Sequence, residues 1–292
     1  MSEQDRFFNR ANALLDRVEA LFPEVQAPAP PTDSPAYRWL QRGYRGQLQA
    51  IEHISRVQLD DLLCVDAQKE KLVRNTRQFL AGLPANNALL WGPRGTGKSS
   101  LLKALLNDFS DRGLRLIEVE KGLLKDLPEI AGALPDRDHR YIIYCDDLSF
   151  ESGDPGYKAL KVMLDGSLSR MPDNLLIYAT SNRRHLLPEY QSDNQASQII
   201  DGELHHSEAV EEKISLSERF GLWLAFHPFS QDDYLTIVQY WLNQQGIAEF
   251  DDEIRQQALR WALEHGSRSG RVASQFARDY AGRNQLDDRE HD

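Results

Sequence analysis

Cysteine is scarce in this 292-residue sequence, which contains only Cys64 and Cys145. Two cysteines without a recognisable spacing are too few for a disulfide framework, as is usual in a reducing compartment. The sequence also lacks an apolar run near the roughly 20 residues that a membrane-spanning helix needs. Its polar, charged N-terminus does not have the pattern of a signal peptide. We therefore expect a cytoplasmic protein that has no membrane partner.

Basic residues are also few, since the sequence has 34 Lys and Arg but 45 Asp and Glu, which gives a formal net charge of −11. Non-specific nucleic-acid binding depends on clustered positive charge, so this balance argues against a general nucleic-acid coat. One segment could still bind nucleic acid, because aromatic and basic residues alternate from Tyr37 to Gln49. The alternative is that these aromatics pack on the main domain with the arginines in solvent, and the low number of bases favours it.

The rest of the chain is organised around an apolar run from Asn87 to Trp91 and the glycine-rich loop after it. The run predicts a short buried strand, and the leucine spacing after Ser100 predicts a helix. A Gly-x-x-x-x-Gly-Lys-Ser loop between a strand and a helix is the Walker A phosphate-binding signature. Its predicted nucleotide-binding residues are Gly92, Pro93, Arg94, Gly95, Thr96, Gly97, Lys98, Ser99 and Ser100.

This loop predicts ATP and Mg²⁺ as cofactors. Glycines allow successive backbone N–H groups to turn toward a phosphate, and the N-terminus of the following helix attracts the same anion. Lys98 is expected to reach the β- and γ-phosphates, and the Ser99 hydroxyl is expected to ligate Mg²⁺.

A pair of carboxylates follows the apolar run from Tyr141 to Cys145, which predicts another buried strand. At the carboxyl end of a strand beside the Walker A strand, Asp146 would hold Mg²⁺ together with Ser99. The next carboxylate, Asp147, can orient the attacking water or accept its proton. This matches a Walker B segment, although Asp147 is one methylene shorter than a glutamate, which leaves the rate of hydrolysis open.

In their order, these segments resemble the AAA+ ATPases. Thr180-Ser181-Asn182 follows a strand candidate at Leu175 to Ala179, as the sensor-1 segment does in that family. Arg219, directly before a strand candidate at Trp223 to Phe226, is similar to the arginine finger, and Arg271 is similar to sensor 2. The resemblance implies catalytic roles for Asn182, Arg219 and Arg271 beside Asp147. It also implies that Leu59 to Leu63 packs near adenine.

Longer shared phrases resemble a bacterial AAA+ group that is known mainly by a domain-of-unknown-function label. They are the segments from Trp91 to Ser100, from Cys145 to Glu151 and from Tyr178 to Pro188. Membership in that group implies ATP binding and leaves the cellular role open.

The expected fold is therefore α/β of the AAA+ type, with a parallel five-stranded sheet flanked by helices. A small C-terminal helical lid and an N-terminal helical extension complete it. We expect residues 1–50 to form an N-terminal helix, a Pro-rich linker and the aromatic and basic segment. Residues 51–229 would form the nucleotide-binding domain, and residues 230–292 the lid, ending in a disordered acidic tail from Asp287.

One long polar stretch, from Pro188 to Ser217, has no clear periodicity. Loops of this length in a compact domain are usually functional or disordered. We expect it to contact a partner or a neighbouring subunit.

Three functions are compatible with these motifs. The first is an ATPase whose subunits assemble as a homo-oligomer, hydrolyse ATP to ADP and phosphate, and remodel an unidentified protein partner. The second is a nucleotide-gated assembly switch or loader with little turnover. The third, a small-molecule P-loop kinase, ranks lowest because the sensor and finger segments have no role in it.

Overall fold

The computed structural model describes residues 34–43, 45–134, 139–150, 154–165, 172–184, 186, 198–200, 203–205 and 216–291. Only the backbone is described for 42, 45, 198–200, 203–205 and 287–291. The expected N-terminal helix, the Pro-rich linker and most of the 188–217 stretch lie outside these residues.

Seven strands form the main sheet, and a separate hairpin supplies two more. The main-sheet strands are β1 (Ala36–Arg42), β2 (Arg45–Ala50), β3 (Ala88–Trp91), β4 (Leu114–Glu118), β5 (Arg140–Cys145), β6 (Leu175–Ser181) and β9 (Leu222–Ala225). The hairpin strands are β7 (Gln198–Ile200) and β8 (Glu203–His205).

Helices cover both faces of the main sheet and form the C-terminal lid. They are α1 (Asp66–Leu80), α2 (Lys98–Phe109), α3 (Leu127–Ala133), α4 (Pro155–Asp165), α5 (Gln231–Gln244), α6 (Asp252–Glu264) and α7 (Gly270–His291). Short 3-10 helices lie at Leu59–Asp61, Ser110–Arg112 and Lys121–Asp126.

The strand order is β2-β1-β4-β5-β6-β3-β9, and every neighbouring pair is parallel except β1 with β2. The glycine-rich loop follows β3, which lies between β6 and the edge strand β9. The five strands predicted from the sequence are all present and parallel. The expected count of five was nevertheless wrong, because β1 and β2 extend the sheet beyond β4. The expected position of β5 beside β3 was also wrong, because β6 lies between them.

These two additional strands are the segment in which aromatic and basic residues interleave. Tyr37 and Trp39 point to the buried side of β1, and the Trp39 indole donates a hydrogen bond to Asp126 at 3.1 Å. Arg38, on the other side, pairs with Glu118 at 2.7 Å. The alternation of aromatic and basic residues therefore reflects a strand whose side chains point in turn to a buried face and to an exposed face. The two aromatic rings are part of the core and are not available for stacking on bases.

Each central strand is buried on both faces, which explains the near-continuous apolar runs that predicted them. On β5, for example, Ile142 and Tyr144 pack in the core shared with α2 and the lid. Tyr141, Ile143 and Cys145 pack on the opposite side, in the core shared with α3 and α4. Cys145 is a core residue, as expected from the sequence.

The helices α5, α6 and α7 form the C-terminal lid, and α5 begins directly after Ser230. Ser230 caps α5, because its hydroxyl accepts from the Asp233 N–H at 3.1 Å and its own N–H donates to the Asp233 carboxylate at 3.0 Å. The expected disordered tail was wrong, since α7 continues to His291. No glycine or proline interrupts α7 after Gly282, and an ion pair four residues apart joins Arg283 to Asp279.

Replacing Ser230 by alanine removes this cap, and we expect the free energy of unfolding to fall by about 1 kcal/mol. Chemical denaturation would measure it. Thr236→Ala on the exposed middle of the same helix is the matched control, with an expected change below about 0.5 kcal/mol. Equal losses in the two variants would contradict a specific capping role.

Candidate nucleotide-binding site

The carboxyl ends of β3, β5 and β6 meet the lid around a cavity of about 590 Å³. In parallel sheets this end of the strands is where ligands bind. Most residues predicted for the site line this cavity: Arg94, Gly95, Thr96, Gly97, Lys98, Ser99, Ser100, Asp146, Asp147, Asn182 and Arg271. Gly92 and Pro93 form the start of the loop behind it, and Arg219 is not part of the lining.

The loop after β3 has a backbone that only glycine adopts readily. Gly92, Gly95 and Gly97 have φ angles of 141°, 77° and 98°. A Cβ atom at Gly92 would lie 2.1 Å from the carbonyl oxygen of Phe226. The Thr96 hydroxyl donates to the Pro93 carbonyl at 2.9 Å and closes the turn. The loop is therefore preformed as a concave cradle in front of the N-terminus of α2, and this cradle fits a phosphate group.

Lys98 is buried, although it carries a charge, and its ammonium group lies inside the loop. It donates to the carbonyl oxygens of Gly92 and Pro93, both at 2.7 Å, and lies 3.4 Å from the Asn182 side-chain oxygen. Burial lowers the pKa of Lys98 below its usual value, while Asp146 and Asp147 act in the opposite direction. The group is thus held where it can meet an anion that enters the cradle.

Asp146 is fixed by two hydroxyl groups that donate to the same carboxylate oxygen. Ser99 donates at 2.7 Å and Thr180 at 2.5 Å. Burial alone would raise the pKa of Asp146, but these hydrogen bonds outweigh it and hold the pKa below its usual value. An ionised carboxylate next to the Ser99 hydroxyl is a pair of hard oxygen ligands, which fits Mg²⁺.

Asp147 is held between the glycine-rich loop and β6. Its backbone has a φ of 50°, which is uncommon for a residue other than glycine. One carboxylate oxygen lies 3.0 Å from the Arg94 guanidinium, and the other accepts a hydrogen bond from the Asn182 amide. The Thr180 hydroxyl also accepts from the Asp147 N–H at 3.0 Å. These contacts fix the carboxylate at the edge of the cavity.

The sequence had placed Thr180 only in the sensor-1 segment. Its hydrogen bonds to both aspartates and the Arg94–Asp147 ion pair were not predicted. The available signal for Thr180 was a hydroxyl residue at the end of the strand next to the Walker B strand. The Arg94 pairing had no such signal, because its two members are 53 positions apart.

The lid is hydrogen-bonded directly to the glycine-rich loop. The N–H of Gly270, the first residue of α7, donates to the Gly95 carbonyl at 2.9 Å. Behind this contact, a stripe of polar residues spaced three and four apart lines the cavity from the lid: Arg271, Ser274, Gln275 and Arg278. A movement of the loop would therefore be transmitted to the lid through one backbone hydrogen bond.

The other end of the cavity is mostly apolar, although Asp61 also lines it. The segment before α1 contributes Val57, Leu62, Leu63 and Val65. The segment before α5 contributes Phe229, and α5 itself contributes Ile237 and Trp241. This composition suits a flat heterocyclic base. Leu62 and Leu63 of the Leu59 to Leu63 segment thus line the cavity, and their packing near adenine stays a prediction. The apolar lid side chains had not been predicted.

Arg219 lies at the opposite end of the sheet. It precedes β9, which runs parallel to β3, so the length of a four-residue strand, about 13 Å, separates it from the glycine-rich loop. Its guanidinium contacts the Asp165 carboxylate at the end of α4. Phe220, the next residue, is buried. An arginine in this position faces away from the cavity of its own chain.

The profile of the family described as "Protein of unknown function (DUF815)" matches residues 32–284. The chain belongs to the DUF815 family. This span contains every strand and every predicted site residue, so the site described above is a feature of the part of the chain that carries the family signature.

Solved structures relate this DUF815 protein to a larger fold group. The Thermotoga maritima RuvB Holliday junction branch migration motor aligns over 76% of this chain and 63% of its own, with 14% identity and a TM-score of 0.51. A point variant of the same motor aligns equally well. At this identity the likeness concerns the fold alone.

One curated protein, the replication factor C large subunit of Ignicoccus hospitalis, is 39% identical over 54 residues, which are 18% of this chain and 11% of that protein. The DUF815 chain spans less than two thirds of either relative. The AAA+ resemblance and the AAA+ type of fold are confirmed. Across the part of the chain that the structure describes, every helix is too short or too polar to cross a membrane.

Proposed function

We propose that this DUF815 protein binds ATP with Mg²⁺ and hydrolyses it to ADP and phosphate. The observation that carries the proposal is the convergence of the preformed loop, Lys98 and the Ser99–Asp146 pair on one cavity. The apolar end of the same cavity supports a nucleotide over a simple phosphate, because it offers a place for the base.

Each predicted residue has a role in this proposal. The loop from Gly92 to Ser100 binds the phosphates, and Lys98 neutralises charge on the β- and γ-phosphoryl oxygens. Ser99 and Asp146 hold Mg²⁺, which offsets phosphate charge when it is bound.

The remaining residues act on the reaction itself. Asp147 accepts a proton from the attacking water, and Asn182 orients the Asp147 carboxylate. Arg271 reaches the phosphates from the lid, and Arg219 acts on the nucleotide of a neighbouring subunit.

The protein partner is unidentified, and the chain is proposed to act as a homo-oligomer that remodels it. RuvB is by name a motor for Holliday junctions, but the net charge of −11 and the buried aromatics of β1 do not favour DNA as the partner here. Hydrolysis would move the lid, which the Gly270–Gly95 hydrogen bond joins to the loop, and the moving lid would act on the partner.

Lys98→Ala is expected to weaken binding of ATP with Mg²⁺ by about 100-fold, because a charge-assisted contact to the phosphates is lost. Isothermal titration calorimetry measures the affinity. Lys158→Ala on the exposed side of α4 is the control and should bind as the parent protein does. An unchanged affinity in Lys98→Ala would remove the phosphate-binding role of the loop.

A second candidate function is an assembly switch with little turnover, and the contacts of Asp147 favour it. Both carboxylate oxygens already accept from Arg94 and Asn182, so the group has less freedom to take a proton from water. Phosphate release under steady-state conditions distinguishes the two. A burst of one phosphate per subunit at most, with ATP-dependent assembly by light scattering, would support the switch.

A further inference from the structure

Tyr144 lies on β5 two positions before Asp146, so both side chains are on the side of the strand that faces α2. The residue is 2% exposed. Its hydroxyl oxygen is fully buried and forms no hydrogen bond with any described residue of the chain. An unpaired polar group at this depth needs an explanation, because its desolvation is not offset.

The unpaired hydroxyl lies at the cation site. Burial raises the pKa of Tyr144 far above its usual value, and the Ser99 hydroxyl and the Asp146 carboxylate lie near enough to its hydroxyl to act on that pKa. Neither of them is in hydrogen-bonding geometry with the hydroxyl. These are the same two residues that form the pair of oxygen ligands. The hydroxyl is therefore behind the ligands, on the core side of the site.

The neighbouring strand offers a direct comparison. Tyr178 on β6 pairs in register with Tyr144 and belongs to the same core. Its hydroxyl accepts from the Asn75 amide at 2.8 Å and lies 3.1 Å from the Thr76 hydroxyl. If position 144 had only a packing role, a phenylalanine would fill the same space without burying a polar atom. The sequence thus places a hydroxyl in the core where none of the described protein groups satisfies it.

We propose that Tyr144 is a positioning residue of the cation site, whose hydroxyl forms its hydrogen bond with Asp146 or with a metal-bound water only once Mg²⁺ and nucleotide are bound. This rests on the proposed function. Carboxylates that bind metals are usually held by such outer hydrogen bonds, and their loss typically lowers metal affinity by 10–100-fold.

The test is Tyr144→Phe, compared with Tyr178→Phe as the matched control. Without ligand, Tyr144→Phe should have a Tm equal to or above that of the parent protein, because an unsatisfied hydroxyl is removed. The Mg²⁺ concentration that gives half-maximal binding of a fluorescent ATP analogue should rise about 10-fold. Binding of the analogue in EDTA should stay unchanged. Tyr178→Phe should show the reverse, a lower Tm and an unchanged Mg²⁺ requirement.

An ordinary packing role for Tyr144 predicts a different result. A lower Tm without ligand, a failure to fold, or an unchanged Mg²⁺ requirement in Tyr144→Phe would each overturn the proposal. Failure of the proposed function is seen separately, because the parent protein would then show no Mg²⁺-dependent binding of the analogue before any variant is tested.

Discussion

Asp147→Asn is expected to slow ATP hydrolysis by about 10²–10⁴-fold while ATP binding is retained. The asparagine keeps the shape of the side chain but cannot accept a proton from the attacking water. The asparagine oxygen can still accept a hydrogen bond from Arg94 or Asn182, the two groups that hold the carboxylate. The loss should therefore fall on the chemical step alone.

Single-turnover phosphate release measures the hydrolysis step, and calorimetry measures binding. Asp146→Asn is the matched variant, one position earlier on the same chain. Because Asp146 accepts from Ser99 and Thr180 at the proposed cation site, its replacement should weaken Mg²⁺-dependent binding. If Asp147→Asn turns over normally, another carboxylate must act as the base. Glu151 is the nearest in sequence and lies outside the described residues.

The parts of the fold that could be predicted from the sequence are those with a local signal. The apolar runs before the Walker A and Walker B segments predict β3 and β5, because strands buried on both faces are continuously apolar. The Ser230 cap with Asp233 predicts the start of α5 for a similar reason, since a cap is contained within four residues. In each case the physical cause lies within the segment itself.

Contacts between distant segments could not be predicted in this way. The sequence favours packing of Trp39 on the main domain but names no partner for it, and the hydrogen bond to Asp126, 87 positions away, is seen only in the folded chain. Thr180 joins both aspartates of the site because β5 and β6 are neighbours, which their order along the chain does not dictate. The same holds for the Arg94–Asp147 ion pair.

Arg219→Ala is expected to lower ATP hydrolysis by about 10³–10⁵-fold with little change in ATP binding by a single subunit. Arg219 lies at the opposite end of the sheet from its own loop, so it can reach a phosphate only on another subunit. There its planar, permanently charged guanidinium would neutralise charge that develops on the phosphoryl oxygens. The side chain is 25% exposed and contacts Asp165, which leaves it at the surface for such a contact.

A residue that acts on a neighbouring subunit makes hydrolysis a property of the assembly. Activity per subunit should rise with protein concentration, and mixing Arg219→Ala with Lys98→Ala should partly restore it, because one interface then combines an intact loop with an intact arginine. Arg260→Ala, an exposed lid arginine, is the control and should hydrolyse ATP normally. No restoration on mixing, together with a monomer under ATP by light scattering, would place Arg219 outside the site.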